Sequence, residues 1–231
     1  MKTALIGAAA FAAALSFALP AAAQSQTLQV QSGTVSPRAL SIDGYDPLGQ
    51  SFTAFTDTIT SVGFEFTTLN PQAALETLTF DIYAGETLSG VSLFNTSFQF
   101  PASIDVRDER AWYDIAVPNL AVVRGGTYSL ILRGQSSFRA ALLTGPGYNS
   151  TTAQFFGGDA YTGGRLLSAV STYPNCAGPT SNCDANFRVT GNIVTAAVPE
   201  PATWAMFILG FGLCGGNLRR RAARRPHLVF S

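Results

Sequence analysis

Leu78-Thr79-Phe80-Asp81-Ile82-Tyr83 decides the fold class, because its apolar and polar residues alternate along the chain. A period of two places Leu78, Phe80 and Ile82 on one face of a β-strand and the intervening residues on the other. A helix that packs on a core needs a period of 3.6 residues instead. The segment therefore predicts a strand with one buried face.

Four further segments repeat this alternation, and turn-forming residues separate them. They are 61–66, 112–117, 127–133 and 186–190, with turn signals at 84–86, 118–119, 124–126, 145–147 and 163–164. Many short strands at such spacing predict an all-β fold, an antiparallel β-sandwich. No segment outside the two termini predicts a long helix. Residues 24–49 are expected to be a lead-in with one strand near Leu28–Gln31.

Three pairs of short motifs resemble those of one particular kind of β-sandwich. They are 50–54 with 59–64, the Gly125-Gly126 turn with 127–130, and 158–164 with 183–191. In this order they resemble the jelly-roll, galactose-binding-like modules of extracellular bacterial proteins. The resemblance implies a jelly-roll-like sandwich over most of the middle of the chain.

The amino terminus has the three parts of a secretory signal peptide. Met1-Lys2 supplies positive charge, residues 4–19 form an apolar run, and Ala21-Ala22-Ala23 is a small-residue cleavage site. Cleavage is expected between Ala23 and Gln24, so that residues 1–23 are the signal peptide. An uncleaved anchor is the alternative, which the small residues before Gln24 disfavour.

The carboxyl terminus also has three parts, which would leave a sandwich ectodomain of residues 24–197. Residues 198–201 contain Pro-Glu-Pro, residues 202–218 carry no charge, and residues 219–231 begin with an arginine cluster. The prolines predict an extended segment. The uncharged run predicts a short membrane helix, which the arginines would hold on the cytoplasmic side.

This tail resembles the PEP-CTERM sorting signal of exopolysaccharide-producing Gram-negative bacteria. The matching residues are Pro199, Glu200, Pro201, Trp204, Ala205, Met206, the run 210–213 and the arginines. The resemblance implies that an exosortase, a membrane protease-transpeptidase, recognises the motif and removes the tail. The chain departs from the family in the extension 226–231 beyond the arginines. A C-terminal anchor that is never cut is the alternative.

Charge and histidine content exclude several functions of the expected ectodomain. Residues 24–198 hold eight arginines, no lysine and thirteen carboxylates, a net charge near −5. Such a surface argues against nucleic-acid binding, which needs a basic face. The single histidine, His227, lies beyond the arginine cluster. The ectodomain therefore lacks the histidine of a Ser-His-Asp triad, a Cys-His pair or a histidine metal site.

Cys176 and Cys183 lie in a segment rich in turn-forming residues. An exported protein meets an oxidising compartment, so a disulfide that closes this short loop is expected. A zinc site is the alternative, but two cysteines without a histidine fall short of a ligand set. Cys214 lies in the uncharged C-terminal run and is expected to be a small apolar filler.

Two kinds of ligand site have candidate residues. Sugar binding needs exposed aromatic rings and polar partners, and the candidates are Tyr148 and Tyr161 with Arg165 as polar neighbour. The alternative, which we favour, is that the tyrosines cap the core at strand ends. Candidate ligands of a structural calcium ion, which prefers oxygen atoms, are the turn aspartates Asp43, Asp46, Asp159 and Asp184. Plain turn aspartates are the favoured alternative, and no other cofactor is expected.

A carboxylate pair is the remaining route to catalysis, because glycosidases use two acidic groups. The candidates are Asp105, Asp108, Glu109 and Asp114. Arginines interleave with them, as in a solvated loop, and no catalytic activity is expected.

Together these features predict an exported, non-catalytic protein with a structural role. It would pass through an inner-membrane-anchored intermediate to the cell surface or the exopolysaccharide matrix of a Gram-negative bacterium. The expected partners are an exosortase-type enzyme, the membrane before processing, and exopolysaccharide. A carbohydrate-binding module is the alternative function, and a glycosidase-like enzyme is a remote one.

Overall fold

A computed structural model of the protein describes residues 23–31, 38–68, 77–99, 110–134, 140–149, 151–152, 154–170, 183–194 and 201–223. Its elements are β1 (Ala23–Val30), β2 (Arg38–Ser41), β3 (Leu48–Thr53), β4 (Thr58–Thr68), β5 (Thr77–Ala84), β6 (Ser92–Gln99), β7 (Arg110–Ala121), β8 (Thr127–Arg133), β9 (Ala140–Gly145), β10 (Gly147–Asn149), β11 (Gln154–Phe156), β12 (Leu166–Ser168), β13 (Asp184–Ala185), β14 (Phe187–Val194) and α1 (Pro201–Ala223). The stretch Leu78–Tyr83 lies within β5, as its alternation predicts.

The strands form two main antiparallel sheets. The first sheet has the order β1-β14-β4-β9-β13, and in addition β7 pairs with β4 and β2 with β9. The second sheet has the order β12-β3-β8-β5-β6, and β10 pairs with β11 in a separate hairpin. This arrangement is consistent with the predicted all-β sandwich. The jelly-roll, galactose-binding-like subtype stays a prediction, because the two sheets are compatible with it only loosely.

Phenylalanine side chains from both sheets fill the core. The largest side chains with no exposed surface include Phe52, Phe64, Phe66, Phe80 and Phe187. Phe64 of the first sheet meets Phe80 of the second edge to face, with ring centroids 6.1 Å apart, a favourable geometry for aromatic pairs. At one side of the sandwich, Phe98 of β6 stacks on Tyr113 of β7 at 4.8 Å. These contacts join the two sheets into one core.

The expected lead-in is wrong. Residues 24–49 contain β1, β2 and the first part of β3 instead of one strand near Leu28–Gln31. The alternation pattern does not predict β3. Its residues Leu48-Gly49-Gln50-Ser51-Phe52 do not alternate between apolar and polar, and all five are buried. A strand covered on both faces loses the period-two signal.

The C-terminal helix differs from the prediction in its bounds and in its character. α1 starts at Pro201, inside the motif, and continues through Ala223, into the arginine cluster. Proline is well suited to the first position of a helix, because its missing N–H has no partner there anyway. No helix within the described ranges is long and apolar enough to cross a membrane. The run 202–218 contains four glycines and Asn217, which lower its hydropathy.

Residues Ala23–Val194 form one compact unit, and the flanking residues belong to a second one. Both ends of the sandwich unit lie in neighbouring strands, because Ala23 is the register partner of Val194. The side chain of Asp57 holds this end of β14: its Oδ2 accepts a hydrogen bond from Val194 N at 2.7 Å. Arg124 binds both carboxylate oxygens of Asp57 at 2.8 Å.

Candidate functional site

An aromatic and charged cluster lies on the outer face of the first sheet. The register sets Arg188 of β14, Gly63 of β4 and Asp114 of β7 side by side. Arg188 donates two hydrogen bonds to the Asp114 carboxylate, one of them from Nε at 2.6 Å. The guanidinium carbon also lies 4.9 Å from the ring centroid of Trp112, within the range of a cation–π interaction. We call Trp112, Asp114 and Arg188 the Trp112 platform.

Gly63 makes the Trp112 platform flat. A Cβ atom at this position would lie 2.3 Å from Asp114 Oδ1 and 2.8 Å from Arg188 Cγ. Only a residue without a side chain lets the ion pair lie directly on the sheet. The ion pair raises the pKa of Arg188, mainly through its hydrogen bond to Asp114, so the guanidinium stays charged. The platform thus combines an aromatic ring with fixed polar groups on an outer sheet face.

The buried side chain of Glu65 lies beside the Trp112 platform in the first sheet. Glu65 is the register partner of Trp112 and is 5% exposed. Its Oε2 accepts hydrogen bonds from Asn186 Nδ2 at 2.7 Å and from Gln31 Nε2 at 3.2 Å. These bonds satisfy the carboxylate, as burial of a charge requires.

A second feature is an open groove of about 470 Å³ at the side of the sandwich where β1 lies. It is lined by Gln26, Thr27 and Leu28 of β1, and by Thr53, Phe55 and Tyr161. We call it the edge groove. Tyr161 is half-buried, and its ring meets Phe187 of the core edge to face at 5.6 Å. Its hydroxyl oxygen accepts a hydrogen bond from Thr53 N at 3.0 Å.

The other candidate sugar-binding residues do not join Tyr161 in one site. Arg165 binds the Glu86 carboxylate through Nε at 2.8 Å and Nη2 at 2.6 Å, so its charge is engaged by an ion pair. Tyr148 belongs to β10, where its register partner is Phe155, but its side chain lies outside the described part of the structure. The geometry of Tyr161 fits the alternative of a tyrosine that caps the core.

The four candidate calcium ligands form two separate pairs. Asp159 and Asp184 meet at the N–H of Tyr161, which lies 3.0 Å from an oxygen of each carboxylate. Asp43 and Asp46 lie together in the turn before β3, and Asp46 Oδ1 is buried without a hydrogen-bond partner. Burial raises the pKa of Asp46 despite the nearby charge of Arg133. Within the described ranges, no three acidic, histidine or cysteine side chains converge on one point.

Asp184 is the most perturbed acid that the structure describes. It is 1% exposed and accepts a hydrogen bond from Gln50 Nε2 at 2.9 Å. Burial, more than any other factor, raises its pKa to about 7, and the charge of Asp159 and a hydrogen bond with it add to the rise. Because Asp184 has almost no exposed surface, this pair does not face a substrate cleft as the two carboxyl groups of a glycosidase do.

Some of the remaining candidate residues lie in the part of the chain that the structure describes, and others lie outside it. Asp105, Asp108, Glu109 and Cys176 lie outside the described residues, and so do Pro199 and Glu200 of the sorting motif. Cys183 is disulfide-bonded and Cys214 is free; the pairing of Cys183 with Cys176 stays a prediction. Pro201, Trp204 and Ala205 lie in the first turns of α1.

Comparison with known families identifies the C-terminal segment. The PEP-CTERM protein-sorting motif matches residues 197–221, a range that begins three residues after the sandwich unit ends at Val194. No curated protein is similar enough to the chain to match it. The motif implies an exported, surface-directed protein that an exosortase-type enzyme processes.

Proposed function

We propose that the chain is a non-catalytic surface protein of a Gram-negative bacterium, with a structural role at the cell surface or in the exopolysaccharide matrix. An exosortase would release the sandwich from its C-terminal tail. The sorting motif at residues 197–221 carries the proposal. The compact unit Ala23–Val194 supports it, because it ends before the motif and would stay intact after the cut.

A non-catalytic role also agrees with the state of the acidic groups. Asp114 is engaged by Arg188, and Asp184 has almost no exposed surface. A glycosidase needs two carboxyl groups that face a substrate cleft. We therefore propose no catalytic step.

The intact mass of the protein extracted from the cell surface tests the sorting step. We expect an amino terminus at Gln24 and a carboxyl terminus near 199–201. A protein that keeps the arginine cluster would refute the proposal. Changing Pro199 and Pro201 together to Ala should leave export intact and block trimming, while the control Pro226→Ala should be trimmed normally.

Carbohydrate binding is a second candidate function, and the Trp112 platform favours it. A sugar ring can stack its apolar face on an aromatic ring while fixed polar groups bind its hydroxyls. Trp112 is half-buried and Asp114 is exposed on the outer sheet face. Because the Arg188 guanidinium lies over one face of the Trp112 ring, a sugar would stack on the other face. The exopolysaccharide of the producing cell is the ligand that the sorting signal suggests.

Co-sedimentation of residues 24–198 with that exopolysaccharide tests this function. Saturable binding that Trp112→Ala abolishes, while Tyr161→Phe leaves it unchanged, would assign binding to the platform. The opposite pattern would assign it to the edge groove. Absence of saturable binding in the wild-type protein would remove this candidate and leave the structural role.

A further inference from the structure

Within the part of the chain that the structure describes, β1 forms an edge of the first sheet. Among the described strands, β1 pairs only with β14, so every second residue of β1 turns its N–H and C=O groups away from the sheet. The strand has eight residues, Ala-Gln-Ser-Gln-Thr-Leu-Gln-Val, and none is charged. Proteins usually protect such an edge with a charge, a proline or a bulge, and β1 has no charge and no proline.

The edge groove runs along this open backbone. Its wall includes the consecutive residues Gln26, Thr27 and Leu28, whose side chains alternate between the two faces of the sheet. The groove thus borders three successive residues of a strand whose only described partner is β14. Leu28 packs against the core, whereas Thr27 is exposed and bonds Thr190 through their hydroxyls at 2.8 Å.

The opposite wall of the edge groove is already closed by hydrogen bonds. Thr53 at the end of β3 directs its N–H to the Tyr161 hydroxyl and its side-chain hydroxyl to the carbonyl of Gly163 at 2.8 Å. Because the N–H of Thr53 already has a partner, an added strand would form its main-chain hydrogen bonds with β1. Phe55 and Tyr161 offer an apolar surface beside it. This combination suits an extended strand that places apolar side chains inward.

We propose that β1 pairs antiparallel with β1 of a second copy of the chain, about a two-fold axis at Thr27. This register sets Gln26 opposite the partner's Leu28 on the inner side. The partner's Leu28 then covers the apolar part of the edge groove, and the two Thr27 side chains meet on the outer side. The contact is isologous, since each copy presents the same surface to the other.

The composition of β1 favours a second copy over a different partner. Self-pairing places identical residues close to one another, so any charge on β1 would repel its own copy. The side chains of β1 carry none, and the two-fold axis sets Thr27 opposite Thr27, a cross-strand pair of hydroxyl side chains that stabilises a sheet. The proposal does not depend on the sorting step or on carbohydrate binding.

Analytical ultracentrifugation of residues 24–198 over a wide concentration range, supported by crosslinking, tests the proposal. The compact unit Ala23–Val194 justifies this fragment. We expect a monomer–dimer equilibrium that Thr27→Lys weakens at least tenfold, because it sets two like charges together at the two-fold axis. We also expect Thr27→Cys to form an intermolecular disulfide, while Ser97→Cys, an exposed position on the edge strand β6, forms far less.

Three results would overturn the proposal: a monomer at every concentration, a dimer that Thr27→Lys leaves unchanged, or equal crosslinking of both cysteine variants. Circular dichroism of Thr27→Lys must match the wild-type protein, and so must thermal unfolding at concentrations low enough for both proteins to be monomeric, which is expected at an exposed position. If Thr27→Lys does not fold, the proposal is tested by the difference in intermolecular crosslinking between Thr27→Cys and Ser97→Cys. Binding of an unrelated extended peptide to a monomeric protein would also count against self-pairing.

Discussion

Asp184→Asn should change the pH dependence of stability, because the carboxyl group of Asp184 is buried beside a second acid. Burial raises its pKa from 3.8 to about 7, and Asp159 adds to the rise, while hydrogen bonds from Gln50 and Tyr161 N oppose it. In the unfolded chain this pKa returns to the ordinary value. The folded protein therefore holds the proton more tightly than the unfolded chain.

The sign and size of the effect follow from linkage. Between the two pKa values the folded state binds more protons, so the free energy of unfolding falls as the pH rises. Each pKa unit is worth 1.36 kcal/mol. The rise of the Asp184 pKa from 3.8 to about 7 therefore limits the loss to about 4 kcal/mol, complete once the pH exceeds about 7.

Asparagine imitates the protonated acid. Its Oδ1 can still accept the hydrogen bond from Gln50, its amide can donate to Asp159, and Tyr161 N keeps its bond to Asp159. We expect Asp184→Asn to match the wild-type protein near pH 4 and to exceed its stability at pH 8 by as much as about 4 kcal/mol. Urea unfolding of residues 24–198 at each pH, in the presence of EDTA, gives both free energies.

The comparison between the two proteins isolates Asp184 from other groups that titrate in the same range. A stability difference that stays constant from pH 4 to pH 8 would refute the reasoning. Asp159→Asn provides a second check, because it removes the neighbouring charge. It should move the pH-dependent loss of stability to lower pH without abolishing it, since burial of Asp184 remains.

Three further predictions concern single positions. Gly63→Ala should destabilise the protein by about 1–3 kcal/mol in urea unfolding, because the new Cβ would overlap Asp114; a smaller loss would mean that the ion pair can move. The pKa of Asp57 is lowered, first by its hydrogen bond from Arg124, so its contribution is present above its ordinary pKa and is lost as the pH falls. Asp57→Asn should therefore reduce the acid-induced loss of stability, and an unchanged acid unfolding curve would contradict this. Phe80→Ala should cost about 3–5 kcal/mol, measured by thermal and urea unfolding, because Phe80 has no exposed surface; a cost below 1 kcal/mol would mean that the core closes over the cavity.

Strands with one buried face could be predicted from local sequence. Leu78, Phe80 and Ile82 are all 0% exposed in β5, as the alternation of Leu78–Tyr83 predicts. The signal is local because neighbouring residues of a strand point to opposite faces. It needs no knowledge of the partner strands, so it is readable in a single chain.

Polar residues in buried strands could not be predicted in this way. Gln50 and Ser51 lie in β3 and have no exposed surface, and they resemble loop residues in the sequence. Gln50 is satisfied by Asp184 and by the N–H of Ala185, more than 130 residues away. Such a strand is stable only when its distant partners are in place, so no local pattern reveals it.

The Trp112 platform was missed for a related reason. Trp112 and Asp114 lie in a segment that reads as a strand, while Arg188 lies in another, and only the register across β4 brings them together. Gly63 was the available signal, because a glycine within a strand often marks a close approach of other groups. The sequence alone does not say which groups approach.

The ends of the sandwich connect the fold with the expected processing of the chain. β1 begins at Ala23, so the bond expected to be cleaved after Ala23 lies within the strand and not before it. Ala23 and Gln24 pair with Val194 and Ile193 of β14, and a protease needs its substrate as an open, extended chain. The predicted cleavage would therefore have to precede the pairing of these two residues, since afterwards their main chain is part of the sheet. The sorting motif, by contrast, begins at residue 197, three residues beyond the end of β14 at Val194.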